Sequence, residues 1–268
     1  MSKFFLNLAM ALLLSGLGAG AGWYASNTMQ PAQWKASAQF EMPKVVDLGN
    51  YYALYSTYTL VKGDEAIATL DKAVSENSYN EFKRSITSPN VINTFLVQTD
   101  LAKSMAKVES KPVEEVAQRL AEGFQFQNDS DTLSVTTISP VHSVELLSHF
   151  IEFSTAQTRE TLNSDLVAKW KILFQQVKQS AEQNLGAIQQ NGQVIQQDWN
   201  GKLNLMKSVQ PLDNMLMSYR LVKQPSTPLQ AEAPKNQMMW IGIGAGIGFM
   251  LSLLVAGIIA LGASKKED

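Results

Sequence analysis

Few residues in this chain of 268 amino acids have the types and spacing that catalysis or metal binding requires. The two histidines, His142 and His149, lie two helical turns apart, and no third ligand follows at a recognisable spacing. Cysteine is absent, which excludes thiolate nucleophiles, disulfides and cysteine-based metal sites. Acidic pairs such as Glu114-Glu115 are typical of solvated helix faces, and the sequence contains no nucleophile-elbow context and no phosphate-binding loop. We therefore predict no catalytic residue, no metal site and no cofactor, in a protein that is not an enzyme.

The charged residues are concentrated in the middle of the chain. All but three of the 22 lysines and arginines, and all but two of the 24 aspartates and glutamates, lie in residues 26–237. This central region is slightly acidic and has no basic stripe, so we expect no nucleic-acid partner. It is also long enough to bury a hydrophobic core without disulfides.

Long uncharged runs flank the central region on both sides, at residues 4–25 and 238–263. A helix of about 20 apolar residues crosses the hydrocarbon core of a bilayer. We therefore predict transmembrane helix 1 at residues 4–25 and transmembrane helix 2 at residues 238–263. The first run also has features of a secretory signal, but it exceeds the ~7–15 residues of a signal core, which favours a retained anchor.

Short basic flanks indicate the orientation of both spans. Lys3 precedes the first run, and Lys265 and Lys266 follow the second. Because such flanks favour the cytoplasm, we predict cytosolic segments at residues 1–3 and 264–268, with the central region outside. Aromatic residues, which favour the membrane interface, occur at the opposite end of each run, at Trp23, Tyr24 and Trp240.

Both runs contain glycines spaced four residues apart. The pairs are Gly16/Gly20 and Gly18/Gly22 in the first run, and Gly242/Gly246 and Gly244/Gly248 in the second. Small residues at this spacing let transmembrane helices approach each other closely. The pattern favours helix–helix packing, either within one protomer or between protomers.

A proline segment, residues 224–236, leads directly into the second run. It contains Pro225, Pro228 and Pro234, and Lys235 follows the last of them. Proline fixes its own φ, lacks a backbone donor and pushes the preceding residue towards extended conformations. We therefore predict a stiff extended segment that is neither helix nor central strand.

Residues 26–142, together with a returning strand at residues 215–223, have the pattern of an α/β base. Alternation predicts strands, and apolar residues at steps of three and four predict helices. The predicted strands are residues 34–42, 131–139 and 215–223; the predicted helices are residues 64–75, 78–107 with a break at Ser88-Pro89, and 114–124. Ser88 or Asn90 is the expected cap after the break. Strands from both ends of the central region indicate a mixed base next to the membrane.

Residues 143–210 predict a long helical hairpin, because an apolar stripe continues from Leu162 to Met206 at helical spacing. As a single rod this segment would reach ~100 Å. The chain has to return to the second span, and the places for a turn are Asn191-Gly192 and Asn200-Gly201. Residues 211–237 then form a returning strand and the proline segment. The predicted fold class is an α+β membrane protein, with two transmembrane helices flanking the base and its hairpin.

This layout resembles the Wzz-type polysaccharide co-polymerases, which determine the chain length of O-antigen and related glycans. That family has two terminal spans and a signature of proline–x2–proline–x4–serine–proline–lysine before a glycine-rich second span. Here the corresponding residues are Pro225, Pro228, Ala233, Pro234 and Lys235, so alanine replaces the usual serine. The segments NEFKRSITSPNVINTFL and LSVTTISPVHSVELLSHFIEFSTAQTRETL are similar to the family's base, and the soluble region is shorter than is typical.

The resemblance implies a non-catalytic homo-oligomeric ring in the bacterial inner membrane, with cytoplasmic termini and a periplasmic central domain. It implies an inner-membrane glycan polymerase and a lipid-linked polysaccharide as partners. Six glycines are the candidates for transmembrane packing or polymerase contact: Gly16, Gly20, Gly242, Gly244, Gly246 and Gly248. Packing of the second-span glycines against the protein's own first span is the alternative. In this interpretation the proline segment fixes the angle between base and span.

A membrane-anchored periplasmic adaptor of an export or envelope-bridging assembly is the alternative function, since adaptors also contain helical hairpins. Adaptors usually carry lipoyl-like and barrel strands, which this sequence does not show, and they often lack a proline segment and a second span. A two-span sensor is disfavoured because the predicted cytosolic segments hold no signalling domain.

Overall fold

The computed structural model describes residues 3–29, 31–63, 67–183, 185, 187–190, 193–196, 198–232 and 236–264. Its α-helices are α1 (Lys3–Met29), α2 (Asn50–Lys62), α3 (Ile67–Thr87), α4 (Pro89–Gln98), α5 (Asp100–Glu109), α6 (Val113–Ala121), α7 (Pro140–Glu182), α8 (Trp199–Ser208) and α9 (Gln237–Ser264). Its strands are β1 (Trp34–Glu41), β2 (Phe124–Gln127), β3 (Thr132–Thr137), β4 (Ala187–Gln190), β5 (Gln193–Gln196) and β6 (Arg220–Lys223), and Val45–Leu48 is a 3₁₀ helix. The predicted α+β class is confirmed, with long apolar helices at both ends and a small antiparallel sheet between them.

The chain divides into two compact units. The first, which we call the membrane unit, is drawn from Met1–Ala36, Thr136–Ser143 and Thr227–Asp268. The second, the base unit, is drawn from Ser37–Val135 and Val144–Ser226. The membrane unit contains α1 and α9, and the base unit contains most of the sheet and helices α2 to α6 and α8.

The sheet of the base has the strand order β2-β3-β1-β6. β2 pairs antiparallel with β3 in a regular register from Phe124↔Val135 to Gln127↔Thr132. β1 pairs antiparallel with β6, and its register shifts between Gln39 and Phe40. The β1 side chains alternate between buried and half-buried over most of the strand, which is the periodicity that identified it in the sequence. β2 was not predicted, because a four-residue FQFQ run is too short to show alternation clearly.

An aromatic cluster joins this sheet to the helices of the base. Phe82 on α3 is fully buried and stacks on Tyr219 with ring centroids 4.3 Å apart. Phe40 of β1 contacts the ring of Phe82 edge-on, with ring centroids 5.1 Å apart. On α7, the buried Phe150 packs against Phe124 of β2 at 5.0 Å. Burial of each such ring is worth roughly 1.5–3 kcal/mol, so this cluster is a main source of the base's stability.

The long helix α7 has 43 residues, a length of ~64 Å. Leu162 and Leu166 on α7 are buried together with Tyr51 and Leu54 of α2. Further along, Val177 of α7, Val61 of α2 and Met206 of α8 form a second buried cluster. The apolar stripe seen in the sequence therefore packs against two partners, α2 and α8, and not against a returning helix alone.

The structure differs from the predicted helical hairpin at its tip. β4 and β5 pair as a two-stranded antiparallel sheet with the register Ile188↔Ile195 and Gln190↔Gln193. The predicted turn at Asn191-Gly192 lies outside the described residues. The alternative turn at Asn200-Gly201 is wrong, because both residues belong to the first turn of α8, where the Asp198 carboxylate accepts a 2.7 Å hydrogen bond from the Gly201 backbone N–H.

The chain after α8 returns in an extended conformation. Pro211 follows the end of the helix and cannot continue it. The carbonyl of Leu216 accepts a 3.2 Å hydrogen bond from Arg159 Nε on α7, and the Met217 N–H donates to the carbonyl of Asp47 at 2.8 Å. The predicted strand at residues 215–223 is therefore shorter in the structure, since only residues 220–223 pair with β1.

Candidate functional site

The terminal helices α1 and α9 pack against each other in an antiparallel arrangement within the membrane unit. The surroundings of the glycines define the register: the Gly22 position lies against Trp240, Gly18 against Gly244, and Leu14 against Gly248. Each helix contains a 22-residue stretch that is long and apolar enough to cross a membrane, Leu8–Met29 and Gln237–Ile258. Large side chains away from the contact, such as Leu12, Leu13 and Leu17, are more than two-thirds exposed. A helix in the core of a soluble protein would bury them, so lipid is the environment that fits this pair.

Four glycines form the contact between α1 and α9, and we call this contact the glycine seam: Gly18, Gly22, Gly244 and Gly248. A Cβ atom on Gly244 would collide with the carbonyl oxygen of Gly18 and lie 2.9 Å from its carbon. A Cβ on Gly248 would collide in the same way with the carbonyl of Leu14. The two backbones approach so closely that no larger residue fits at these positions without a shift of the helices.

The other glycine pairs lie on the open faces of the same two helices. A Cβ atom at Gly16, Gly20, Gly242 or Gly246 would meet nothing within 4 Å. Each open glycine is two positions from a seam glycine in the sequence, which is a rotation of ~200° around the helix. The predicted group of six glycines is therefore divided: Gly244 and Gly248 belong to the seam, and the remaining four face outward. The spacing in the sequence places the two groups on opposite sides of each helix, but it does not show which side faces the neighbouring helix.

The aromatic residues near the ends of the two spans lie at the same level. Trp23 and Tyr24 follow Gly22, and Gly22 lies against the backbone of Trp240. The side chains of Trp23 and Tyr24 are exposed. Aromatic rings at one level of a helix pair are typical of a membrane–water interface. The predicted location of this level on the outer side stays a prediction.

The proline segment contains no regular helix or strand among its described residues, 224–232 and 236. Glu232 forms an isolated antiparallel bridge with Gln33, in which the Glu232 N–H donates to the Gln33 carbonyl at 2.7 Å. Within the membrane unit, this bridge joins the connection after α1 to the connection before α9. Leu229, three residues before Glu232 in the proline segment, has a side chain that is 96% exposed. Pro234 and Lys235 lie outside the described residues.

The described part of the chain has no group of three or more metal-ligating side chains. His142 and His149 are both exposed. The shifted pKa values have structural causes: burial raises the pKa of Tyr51 well above its ordinary value, and a hydrogen bond from Arg119 lowers the pKa of Glu109 at the surface. Neither group is part of a nucleophile–base pair. The absence of catalysis stays a prediction.

Comparison with known proteins places this arrangement among characterised folds. No family model matches the chain. A full-length bacterial polysaccharide co-polymerase has a similar structure, with a TM-score of 0.61 at 14% identity over 97% of this chain and 98% of that one. The periplasmic domain of a chimeric WzzB chain length regulator gives a TM-score of 0.50 at 12% identity, over 74% of this chain and 99% of that domain.

One sequence relative is an uncharacterized protein of Haemophilus influenzae (strain ATCC 51907 / DSM 11121 / KW20 / Rd). It is 30% identical over 109 residues, which are 41% of this chain and 95% of the relative. This degree of identity over nearly the whole relative shows common family membership, while the solved structures show the fold. The chain belongs to one sequence family with the Haemophilus influenzae protein and has the fold of the Wzz-type polysaccharide co-polymerases, the family that its proline segment and span arrangement resemble.

Proposed function

We infer that this protein is a non-catalytic regulator of polysaccharide chain length, for O-antigen or a related surface glycan. The observation that carries this proposal is the similarity to a full-length polysaccharide co-polymerase over 97% of the chain, which includes both terminal helices as well as the base. The proline segment supports it independently, because its residues match the co-polymerase signature at all but one position, Ala233.

The protein acts in this proposal as a homo-oligomeric ring in the inner membrane. Both termini are cytoplasmic because lysines flank the outer ends of the two spans, and the base and hairpin are periplasmic. Its partners are an inner-membrane glycan polymerase and the lipid-linked polysaccharide that the polymerase extends. The ring sets the number of repeats that are added before the chain is released.

The polymerase contact is assigned to the open glycine faces, in particular Gly242 and Gly246 on α9. Gly244 and Gly248 are used for packing against α1, where a Cβ would meet backbone, so they are not free for a partner. Gly242 and Gly246 are exposed and have space for an approaching helix. Gly16 and Gly20 offer the same space on α1. Small residues at this spacing are the usual means by which membrane helices approach each other closely.

The proposal is tested by the length distribution of surface polysaccharide on a silver-stained gel, with and without the gene. We expect the modal cluster of bands to collapse into an unregulated ladder on deletion and to return on complementation. Complementation with Gly242→Leu/Gly246→Leu should fail to restore the modal length, although the protein accumulates normally. An unchanged length distribution in the deletion strain, with altered export or drug sensitivity, would exclude the co-polymerase function and favour the adaptor.

A further inference from the structure

The two-stranded sheet of β4 and β5, which we call the ribbon, has two backbone edges that no described strand covers. Its four consecutive pairs run from Ala187↔Gln196 to Gln190↔Gln193. Among the described residues no third strand joins this sheet. A strand edge presents N–H and C=O groups that can pair with another chain, and an isolated two-stranded ribbon is at best marginally stable in water.

The ribbon also lacks the features that normally protect a free edge. No charged residue and no proline occurs between Glu182 and Asp198, and the four pairs follow each other without a bulge. Natural edge strands are commonly protected by lysine, proline or bulges. The edge strand β6 of the base sheet shows such protection, since it contains Arg220 and Lys223 and its pairing with β1 includes a register shift.

The helices on either side hold the ribbon on a packed support. Val177 of α7 and Met206 of α8 are buried against each other and Val61 of α2, and Leu173 and Leu203 pack around them. β4 begins a few residues after α7 ends, and β5 ends shortly before α8 begins. The two strands are therefore presented at the end of a packed three-helix assembly in every copy of the chain.

We propose that the ribbons of neighbouring copies pair edge to edge, β5 of one protomer with β4 of the next, and form a closed β collar on the ring. The inference rests on the homo-oligomer of the proposed function. Because β4 and β5 run in opposite directions, a row of identical ribbons alternates in strand direction, and each new pairing is antiparallel. The contact is heterologous and repeats at every subunit of the ring of the proposed function, and closure of that ring removes all free edges. The collar contains twice as many strands as the ring has protomers.

Cysteine cross-linking in membranes tests the collar, since the chain has no cysteine of its own. In Gln190→Cys/Ile195→Cys the two cysteines are not partners within one ribbon, because Gln190 is opposite Gln193. They are diagonal neighbours on one face of the ribbon, about 7–8 Å apart, which is too far for an unstrained intramolecular disulfide. Ile188→Cys/Gln193→Cys samples the opposite direction of slip between copies; both slips are even, so the same face of every ribbon points to the inside of the ring. Ile188→Cys/Ile195→Cys joins directly opposed positions and controls for oxidation within one ribbon.

We expect at least one non-partner variant to give a ladder of covalent oligomers on non-reducing gels. A second measurement uses charge: Gln189→Lys/Val194→Lys places like charges on both strands and should lower the fraction of oligomer in detergent, measured by mass photometry. Gln176→Lys/Gln179→Lys, at exposed positions of α7, is the matched control and should leave the oligomer unchanged.

The outcomes separate this inference from the proposed function. An intact wild-type oligomer, with no ladder from any non-partner variant and no effect of the ribbon lysines, would overturn the collar and leave chain-length control standing. A ladder in a strain whose glycan lengths do not depend on the gene would support the collar and overturn the proposed function. A monomeric wild-type protein would overturn both the ring and the collar.

Discussion

At the scale of single residues, the glycines of the two spans have different environments although their spacing in the sequence is the same. Gly244 lies against the Gly18 carbonyl, and Gly242 has no neighbour within 4 Å of an added Cβ. The spacing predicted helix packing, and it left open whether the packing is within or between protomers. Which glycines face the neighbouring helix depends on the rotation of each helix about its axis. The spacing of residues in the sequence does not determine this rotation.

This difference predicts the effect of adding one methyl group. Gly244→Ala should destabilise the α1–α9 pair by about 1–3 kcal/mol, because its Cβ meets a backbone carbonyl that cannot move without displacing the helix. Gly242→Ala is the matched control and should change stability by less than about 0.5 kcal/mol. The unfolding free energy of the detergent-solubilised protein in an SDS titration measures both. Equal losses for the two variants would contradict the seam.

At the scale of elements, the sequence predicts helices better than short strands. The break at Ser88-Pro89 was predicted, and Ser88 caps α4, with its side chain accepting from the Val91 N–H. The ribbon was missed, because Leu185, Ile188, Ile195 and Trp199 continue the helical stripe. The hairpin signal, Asn-Gly between short apolar and polar runs, was present at the same place. Helix α2 was missed because its tyrosines and threonines are weak helix formers, and its contacts with α7 stabilise it.

The proline segment yields a prediction about stiffness. In Pro225→Gly/Pro228→Gly the segment gains conformational freedom, so the modal glycan length should broaden or be lost while the folded base is retained. Ser226→Ala/Thr227→Ala keeps both prolines and should keep the modal length. The silver-stained gel and circular dichroism of the purified variants provide the two measurements. A normal mode from the glycine variant would show that stiffness at these two positions is not needed.

At the scale of the whole molecule, the division into a membrane unit and a base unit has consequences for unfolding. The seam stabilises the pair of spans, and the aromatic cluster of Phe40, Phe82 and Tyr219 stabilises the base. These contacts belong to different units and share no residue. A chain built in this way is not expected to unfold in a single two-state transition.

Hydrogen exchange measured by mass spectrometry can follow each unit separately, because it reports opening segment by segment. Phe82→Ala removes a fully buried ring and should destabilise the base by roughly 3–5 kcal/mol, which accelerates exchange in α3 and β1 and leaves α9 unchanged. Gly244→Ala should accelerate exchange in α1 and α9 only. Because sites that share no residue and no partner act independently, the double variant should show the sum of the two patterns. Faster exchange in α9 of the Phe82→Ala protein would instead show that the spans depend on the base for their packing.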